Sequence, residues 1–551
     1  MESDCLKISH NGMFDWLRLQ KAGVRLKGPL WCTMIAQQVV DSDAPAYDLE
    51  SVASYWLDMA RWKHKGAPKY KPRQIKKRDW KRPFSCATCG GQALSGTGKQ
   101  TTRICEGCTD MAFRSRLRQY ELDAIGYNRM DAQVLIPIQA EQEHSLRKNG
   151  QIELFRGMML VLEDVLLPLQ ARGLKIDIKT RESSQILYSR RASEASTTWK
   201  HITDNVNPSS VPQLKNLLYD RWNLPVQYDN DRPTTNNEAL LALKEIASGR
   251  PKKALTALAT YRTSKKWHTT YTKIGDRIYP AYGPATKDRS EGGKRYGAIA
   301  ATGRIIAKGD LSTKTPPLQQ VPKELRHLIV PEKGNRFIGA DYKSQELKLI
   351  TAHTKCVYLA EKGSGLFDAL STRYGCPRVN AKNLFYGLWA YGGSARAGQR
   401  ALRQKGINIS IGECEAFIRD GHHRVPEIFA WHNHVLEMAT RDGSLRNSFG
   451  RIRRFKDLSK QRNEALNYLI QSDAADMQWA ILRPIELQLQ KYGGWTSILL
   501  HDGFAWEVPL GAVDEAKSII RNGMERPFDN IAKGFSCGVE LMVGTNWKEV
   551  S

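Results

Sequence analysis

Two mostly apolar runs in the second half of the chain predict β-strands, and each run carries an aspartate. The first run, residues 336–342, reads RFIGADY and has Asp341 just before its last residue. The second run, residues 497–508, reads SILLHDGFAWEV and has Asp502 beside a glycine. Short apolar runs of this kind are typical of buried strands. We therefore expect two carboxylates at places where strands meet a turn or solvent.

Between these runs, basic residues recur with the period of a helix. Arg378, Lys382 and Tyr386 are spaced four residues apart, so a helix places all three on one face. Carboxylate oxygens are the ligands that Mg²⁺ prefers, and a cationic helix face can hold a triphosphate. An aspartate at a strand end can equally be a cap, and a basic pair on a helix can be a solvated stripe. Taken together, the two features indicate phosphoryl transfer to a nucleotide.

Other parts of the chain have a helical apolar pattern. From residue 154 to 174, apolar side chains recur at three- and four-residue intervals, and Gly173 is placed to end the helix. Further helices are predicted through residues 239–273. The chain therefore mixes long helical stretches with separate strands.

Length and charge restrict the class of protein. The chain has 551 residues, enough for two to four domains, and a formal net charge of +26. That excess favours a polyanionic partner, although a solvated surface alone can also be basic. No run of 18 apolar residues occurs, residues 1–10 do not resemble a secretion signal, and ten cysteines in so long a chain are no disulfide framework. We expect a soluble, cytoplasmic protein of a reducing compartment with no membrane partner.

Four cysteines have the spacing of a zinc site. Cys86 and Cys89 are separated by two residues, as are Cys105 and Cys108, and fifteen residues lie between the pairs. Two such knuckles close a tetrahedral thiolate site, so we predict one structural Zn²⁺ in an insertion at about residues 66–118. The basic stretch 69–83 that leads into it reads as a solvated linker or as a DNA contact.

Three ordered motifs resemble those of family-A (DNA polymerase I-like) DNA polymerases. Residues 341–348 resemble motif A, residues 378–387 resemble motif B, and residues 501–503 resemble motif C. Flanking segments of the same family are similar to residues 302–304, 318–322 and 467–476. The resemblance is continuous from about residue 150 to the end of the chain.

The resemblance implies an α+β multidomain fold shaped like a right hand. It has a palm built on an antiparallel sheet, with a helical thumb and helical fingers, and a partial α/β exonuclease-like domain precedes it. The expected boundaries are 1–145 for the exonuclease-like domain, 150–275 for the thumb, 276–350 and 445–551 for the palm, and 352–440 for the fingers.

The resemblance also implies a template-directed DNA polymerase that takes primer–template DNA and dNTPs and uses two Mg²⁺ ions. The implied Mg²⁺ ligands are the carboxylates of Asp341 and Asp502, which are also the implied catalytic residues, and the backbone carbonyl of Tyr342. The implied nucleotide-binding residues are Arg378, Lys382, Tyr386 and Glu346, of which Glu346 blocks a ribose 2′-hydroxyl. The implied DNA contacts are Arg304, Lys266, Asn467, Gln471 and His501.

The chain departs from the family pattern at two positions. A second Tyr-Gly usually stands eight residues after the motif B lysine, whereas Tyr391 is nine residues after Lys382. Either Ala390 fills that place or the helix end carries one extra residue. Gly503 stands where the family commonly has an acidic residue after the motif C aspartate.

The amino-terminal unit resembles a DnaQ-like 3′–5′ exonuclease that lacks its first motif. Asp15 lies in a segment similar to the second motif, and Tyr127 and Asp131 match the third, a Tyr-x3-Asp. The opening Asp-x-Glu pair is missing, so we expect little or no exonuclease activity from this chain. A split gene with an upstream-encoded polypeptide, a start site placed too late, or a decayed domain would each explain this. A small polymerase of this kind resembles those of phages, which would place it in the host cytoplasm.

Two other classes of function compete with the polymerase. One is a catalytically decayed homologue that still binds DNA through its charge. The other is an RNA polymerase or reverse transcriptase on a related palm. The two aspartates and the basic helix disfavour the first, and Glu346 with the motif B spacing disfavours the second.

Overall fold

The computed structural model of the chain describes most of its length. The described residues are 4–24, 27–44, 46–59, 78–89, 92–97, 104–105, 108, 125, 128–229, 232–283, 300–308, 317–404, 409–500 and 503–551. Among them, no helix is both long enough and apolar enough to cross a membrane.

One four-stranded antiparallel sheet contains strands from both of the predicted runs. Its first two strands, Trp495–Leu499 and Gly503–Pro509, form a hairpin. The second of them pairs with the central strand, Asn335–Tyr342. The edge strand (Val539–Gly544) pairs with the other side of the central strand. The sequence prediction of two strands is therefore correct for the first run, whereas the second run is divided between the two strands of the hairpin.

The central strand is covered on both faces, which explains its almost continuous apolar sequence. On one face, the Tyr342 hydroxyl donates a hydrogen bond to the last residue of the helix Val513–Met524. On the other, the turn Trp547–Val550 lies against Gly339, where an added Cβ would be 2.2 Å from the Val550 carbonyl oxygen. Only glycine fits at this contact, so the turn can approach the sheet closely.

Helices account for most of the remaining structure. The α-helices are Gly12–Lys21, Thr33–Val40, Leu49–Leu57, Leu135–Lys148, Ile152–Val161, Leu167–Arg172, Ile178–Thr203, Val211–Lys215, Asn237–Ile246, Gly249–Lys266, Gln345–Thr354, Val357–Lys362, Leu366–Tyr374, Arg378–Leu384, Ala395–Gln404, Ile411–Arg424, Pro426–Asp442, Leu458–Gln490 and Val513–Met524. The π-helical segments are Leu162–Leu166, Asn216–Arg221, Trp267–Tyr271 and Phe385–Ala390. As predicted, the helical pattern from residue 154 ends at Gly173, whose φ is +65°.

The other strands form small sheets. The antiparallel ones are Leu174–Ile176 with Arg277–Ile278 and Ile329–Val330, Ala281–Gly283 with Ile306–Lys308, Ser444–Arg446 with Ile452–Arg454, Tyr228–Asp229 with Arg232–Pro233, and Arg78–Ser85 with Gln92–Thr97 and Ile104–Cys105. Lys7–Ser9 and Leu30–Cys32 form one parallel pair.

Two separate clusters of buried apolar side chains make up most of the core. One large cluster joins the four-stranded sheet, the helices between residues 345 and 442, and part of the amino-terminal unit, including Trp16 and Trp31. The helices between residues 199 and 258 enclose a separate core of their own around Trp199 and Leu258. That second core lies within the predicted thumb, and such a core is expected of a unit that can move against the rest of the molecule.

Candidate active site

Asp341 lies at the open end of the central strand. The four residues before it are buried, whereas Asp341 itself is exposed. Its Cα pairs with Gly503 of the hairpin on one side and with Glu540 of the edge strand on the other. Tyr342 points to the opposite face, where its hydroxyl donates to the Met524 carbonyl at 3.3 Å and burial raises its pKa. Strand alternation therefore presents the Asp341 carboxylate to solvent at the edge of the core.

The hairpin brings the second apolar run next to Asp341. The Leu500 N–H donates to the Gly503 carbonyl at 2.8 Å, and Gly503 begins the strand that pairs with the central strand. Asp502 and His501 lie outside the described residues. The residue that follows Asp502 in sequence is thus a direct neighbour of Asp341.

The predicted basic helix is present as Arg378–Leu384. The Nε of Arg378 lies 2.9 Å from Oδ1 of Asp368, and its guanidinium carbon lies 5.6 Å from the centre of the Phe367 ring. Arg378 and Lys382 are both exposed, and the Nζ of Lys382 is 6.0 Å from the centre of the Tyr386 ring. The opposite side of the helix is buried in the core, so these cations form its solvent-exposed face.

A π-helical segment, Phe385–Ala390, follows the basic helix. The Tyr391 N–H donates to the Tyr386 carbonyl five residues earlier, at 3.2 Å. Ala390 is buried, and its carbonyl oxygen lies 2.9 Å from Nε2 of His432. The Tyr391 ring stacks on Tyr386 with 5.9 Å between ring centres. A π-turn contains one residue more than an α-helical turn, which favours the extra-residue alternative for the ninth-residue spacing of Tyr391.

The motif A and motif B segments meet at Glu346. Burial raises the pKa values of both Tyr386 and Tyr391, and the neighbouring Glu346 carboxylate raises them further. On its other side, Oε1 of Glu346 lies 3.4 Å from Nη2 of Arg304, and both side chains are about one-third exposed, at 33% and 27%. Glu346 therefore stands between a cation and two stacked aromatic rings, five residues after Asp341.

The position of Arg304 is fixed through the preceding residue, Gly303. The indole N–H of Trp479 donates to the Gly303 carbonyl at 2.8 Å. Gly303 has φ of +81°, and a Cβ at this position would lie 2.5 Å from the guanidinium carbon of Arg451. Both the left-handed backbone and the close approach require glycine. The segment that carries Arg304 is thereby fixed against the long helix, Leu458–Gln490.

The long helix presents two polar side chains from a buried surface. From Ala465 to Trp479 every residue is buried except Asn467 and Gln471, which are partly exposed and four residues apart. Among the described residues, the buried Oδ1 of Asn467 has no hydrogen-bond partner. One open face of this helix therefore offers amide groups to a polar ligand.

A buried ion pair holds this helix to the loop before it. Nη2 of Arg451 lies 2.6 Å from Oδ1 of Asp476, and their side chains are 3% and 0% exposed. Asn447 donates to the same carboxylate at 2.7 Å. The Asp476 carboxylate is thus satisfied by a charged and a neutral donor, as a buried charge requires.

Lys266 is exposed at the end of the helix Gly249–Lys266 in the predicted thumb. One residue earlier, Nζ of Lys265 lies 2.8 Å from the Tyr261 hydroxyl and 3.1 Å from the Ser209 hydroxyl. Lys265 therefore makes hydrogen bonds within the protein, whereas Lys266 is exposed to solvent.

The four cysteines of the predicted zinc site converge. Their Sγ atoms all lie within 4.8 Å of one another, and those of Cys89 and Cys105 are 3.8 Å apart. Tetrahedral zinc with Zn–S bonds of about 2.3 Å separates its sulfur ligands by about 3.8 Å. Backbone N–H groups of Cys105 and Cys89 lower the pKa of the Cys86 thiol to about 6. The donor set therefore fits a tetrahedral thiolate metal site.

The residues of the predicted vestigial exonuclease are only partly described. Asp15 lies in the helix Gly12–Lys21, where burial raises its pKa against the opposing charge of Arg18. Asp131 is partly buried in a helical stretch, and Tyr127 lies outside the described residues. The lack of a working exonuclease site stays a prediction.

Two features of the site are not among the sequence predictions above. Glu540, on the edge strand, lies directly opposite Asp341 on the central strand. The only indication of its importance in the sequence is that it is a charged residue within the apolar stretch 539–543. The pair of Arg304 with Glu346 joins residues 42 positions apart, and no local pattern indicates it.

The sequence matches the model of DNA polymerase family A over residues 179–549, about two-thirds of the chain. The chain therefore belongs to DNA polymerase family A. This agrees with the convergence of the motif A and motif B segments at Glu346.

Individual relatives are distant in sequence. DNA polymerase I of Chloroflexus aurantiacus is 24% identical, over 99% of this chain and 55% of its own length. The thermostable DNA polymerase I of Thermus filiformis is 25% identical, over 70% of this chain and 47% of its own length. The chain thus spans about half the length of the curated relatives it matches.

One solved structure has the same fold. It is described as the POL domain of Pol1 from M. smegmatis in complex with DNA primer-template and dNTP. It superposes with a TM-score of 0.74 at 19% identity and covers 98% of this chain and 86% of that chain. The α+β right-hand architecture predicted from the sequence is confirmed by this match.

Proposed function

We propose that the chain is a template-directed DNA polymerase. It adds dNTPs to a primer 3′-hydroxyl by phosphoryl transfer assisted by two metal ions, in DNA replication. The observation that carries the proposal is the meeting of three segments at Glu346. Arg304 and the end of the motif B helix are both next to Glu346, which follows Asp341 at the strand end by five residues. The structure described as a complex with DNA primer-template and dNTP supports the same class of ligands.

The carboxylates of Asp341 and Asp502 and the carbonyl of Tyr342 would hold two Mg²⁺ ions. The exposed Asp341 carboxylate at a strand end supports this, because hard oxygen ligands suit Mg²⁺. When bound, the ions lower the pKa of the primer hydroxyl and neutralise charge on the phosphates. The chain's own contribution is to fix Asp341 and Tyr342 on a strand that pairs with the strand beginning at Gly503, so that little reorganisation is needed there.

The basic helix and the long helix would bind the other parts of the substrates. Arg378 and Lys382 bind the triphosphate with the free face of their helix, and Tyr386 lies against the incoming base and sugar. Arg304, Asn467, Gln471 and His501 contact the minor-groove side or backbone of the primer–template end, and Lys266 contacts a backbone phosphate. The partial exposure of Asn467 and Gln471, four residues apart on an otherwise buried stretch of the long helix, supports such contacts.

A primer-extension experiment distinguishes the proposal from its rivals. A labelled DNA primer on a DNA or RNA template is incubated with the chain, Mg²⁺ and either dNTPs or rNTPs. We expect extension with dNTPs on DNA. DNA binding without extension would indicate a decayed homologue, and extension with rNTPs or on RNA would indicate an RNA polymerase or a reverse transcriptase.

Replacement of Glu346 should relax the choice of sugar. Glu346→Ala removes the side chain that would clash with a ribose 2′-hydroxyl, so we expect the ratio of dNTP to rNTP incorporation to fall by at least about 10-fold. Single-turnover incorporation of each nucleotide measures this ratio. Glu346→Gln is the matched control, because it keeps the size and removes only the charge, and it should keep most of the discrimination. An unchanged ratio in Glu346→Ala would place the gate elsewhere.

We propose further that Cys86, Cys89, Cys105 and Cys108 bind one structural Zn²⁺. The support is the tetrahedral sulfur spacing and the N–H groups directed at Cys86. Bound zinc would link the strands Arg78–Ser85 and Ile104–Cys105 through the knuckles that follow them.

Metal analysis of the purified chain tests the zinc site. We expect one zinc per chain, lost in the variant Cys86→Ser/Cys105→Ser, because two of four ligands are removed. Limited proteolysis should then cut the amino-terminal unit faster while primer extension is largely retained. The control is Cys376→Ser, which changes a cysteine outside the predicted site and should still bind one zinc per chain. A wild-type chain without zinc, or a double variant that retains it, would disprove the assignment.

A further inference from the structure

Gly503 leaves room beside Asp341 that an acidic side chain would fit. The two residues are paired across the central strand and the hairpin. A Cβ at position 503 would lie 3.8 Å from Oδ1 of Asp341 and 3.6 Å from the Ala340 carbonyl oxygen, which are ordinary contact distances. The backbone of Gly503 is not in the left-handed region. Sterically, therefore, nothing requires glycine here, and the chain supplies no carboxylate from this side.

The edge strand supplies a carboxylate from the other side. Glu540 is directly opposite Asp341 in the antiparallel pair, so the two side chains are on the same face of the sheet, with Cβ atoms typically about 4.5–5.5 Å apart. Both residues are exposed. The start of this strand is fixed by two hydrogen bonds, from the Lys343 N–H to the Gly538 carbonyl at 2.9 Å and from the Val539 N–H to the Glu525 carboxylate at 2.8 Å. The register that places Glu540 opposite Asp341 is thus held on both sides.

Two like charges directly opposite on neighbouring strands destabilise a sheet. Within the part of the chain that the structure describes, the Glu540 carboxylate has no hydrogen-bond or ion-pair partner. The chain as a whole carries an excess of 26 positive charges, yet no cation among the described residues pairs with Glu540. A bound divalent cation would turn the repulsion into a shared attraction.

We propose that Glu540 is a third carboxylate of the Mg²⁺ site, and that it takes the place of the acidic side chain missing at position 503. The proposal rests on the proposed polymerase function. Glu540 approaches Asp341 from the edge strand, whereas an acid at position 503 would approach from the hairpin. As a carboxylate of the metal site, Glu540 would raise the affinity for the ion held by Asp341.

Binding of Mn²⁺ to the full chain, followed by electron paramagnetic resonance without DNA or nucleotide, tests the proposal. Glu540→Gln should weaken Mn²⁺ binding by about 10–100-fold, as loss of a supporting ligand typically does. The Mg²⁺ concentration for half-maximal primer extension should rise in the same variant. Glu415→Gln, which changes an exposed carboxylate on the helix Ile411–Arg424, is the control and should bind Mn²⁺ like the wild type.

A rescue variant makes the test specific. Gly503→Glu in the Glu540→Gln background returns a carboxylate to the face of Asp341 from the hairpin side, and we expect it to restore much of the Mn²⁺ affinity. If Glu540→Gln binds Mn²⁺ like the wild type while Asp341→Asn does not bind it, the inference about Glu540 is wrong and the polymerase site stands. If Asp341→Asn also binds normally and the wild type does not extend primers, the proposed function itself fails.

Discussion

Asp341→Asn is expected to lower the single-turnover rate of primer extension by about 10³-fold or more. An amide is a weak ligand for Mg²⁺, and loss of the metal at the transferred phosphate raises the activation free energy by several kcal/mol. The exposed position of Asp341 at a strand end means that the substitution disturbs no core contact. Affinity for primer–template DNA should change by less than about threefold, because the basic helix and the thumb are untouched.

Rapid-quench extension and a DNA-binding titration on the same preparation measure the two effects. Asp502→Asn should give the same combination of lost extension and retained binding. Asp442→Asn is a suitable control, because it changes an exposed carboxylate whose partner, Arg441, has no proposed role in the site. Extension by Asp341→Asn at near wild-type rate would show that Asp341 is not a metal ligand.

Asp476→Ala is expected to destabilise the chain by about 3–5 kcal/mol. The substitution leaves the guanidinium of Arg451 buried without its partner, and an uncompensated buried charge costs this much. The side chain of Asn447 loses its acceptor as well. In calorimetry of the full chain, we expect the melting temperature of the transition that contains the long helix to fall by about 10 °C.

Two further variants separate the buried charge from the loss of a side chain. Asp442→Ala breaks an exposed pair with Arg441 and should melt like the wild type. The double variant Arg451→Met/Asp476→Leu removes both charges and should be more stable than Asp476→Ala alone, because apolar side chains can replace a buried pair at little cost. A melting temperature for Asp476→Ala equal to that of the wild type would mean that the pair does not support the helix.

The sequence predicts those parts of the site that depend on local periodicity. The strand that carries Asp341 and the helix that carries Arg378 and Lys382 each have apolar residues that are buried in the core. Their patterns can therefore be recognised from the sequence alone. The prediction of the second strand is less accurate, because residues 497–508 look like one continuous strand, whereas the structure divides them between the antiparallel strands Trp495–Leu499 and Gly503–Pro509. Both strands are largely apolar, so the division leaves little trace in the periodicity.

The parts that the sequence does not predict depend on pairing over distance. The π-turn before Tyr391 places an extra residue in a helix, which a 3.6-residue period cannot show. Glu540 becomes relevant only through the register of the edge strand, about 200 residues after Asp341. The Arg451–Asp476 pair likewise joins a loop to a helix that periodicity treats as separate elements.

Incorporation of a single nucleotide tests the proposed function most directly. Four primer–template duplexes that differ only in the first templating base are each incubated with the chain, Mg²⁺ and one dNTP at a time. We expect rapid addition of the complementary dNTP on each template and much slower addition of the other three. Addition that does not depend on the templating base, or no addition with any of the sixteen combinations, would contradict a template-directed DNA polymerase.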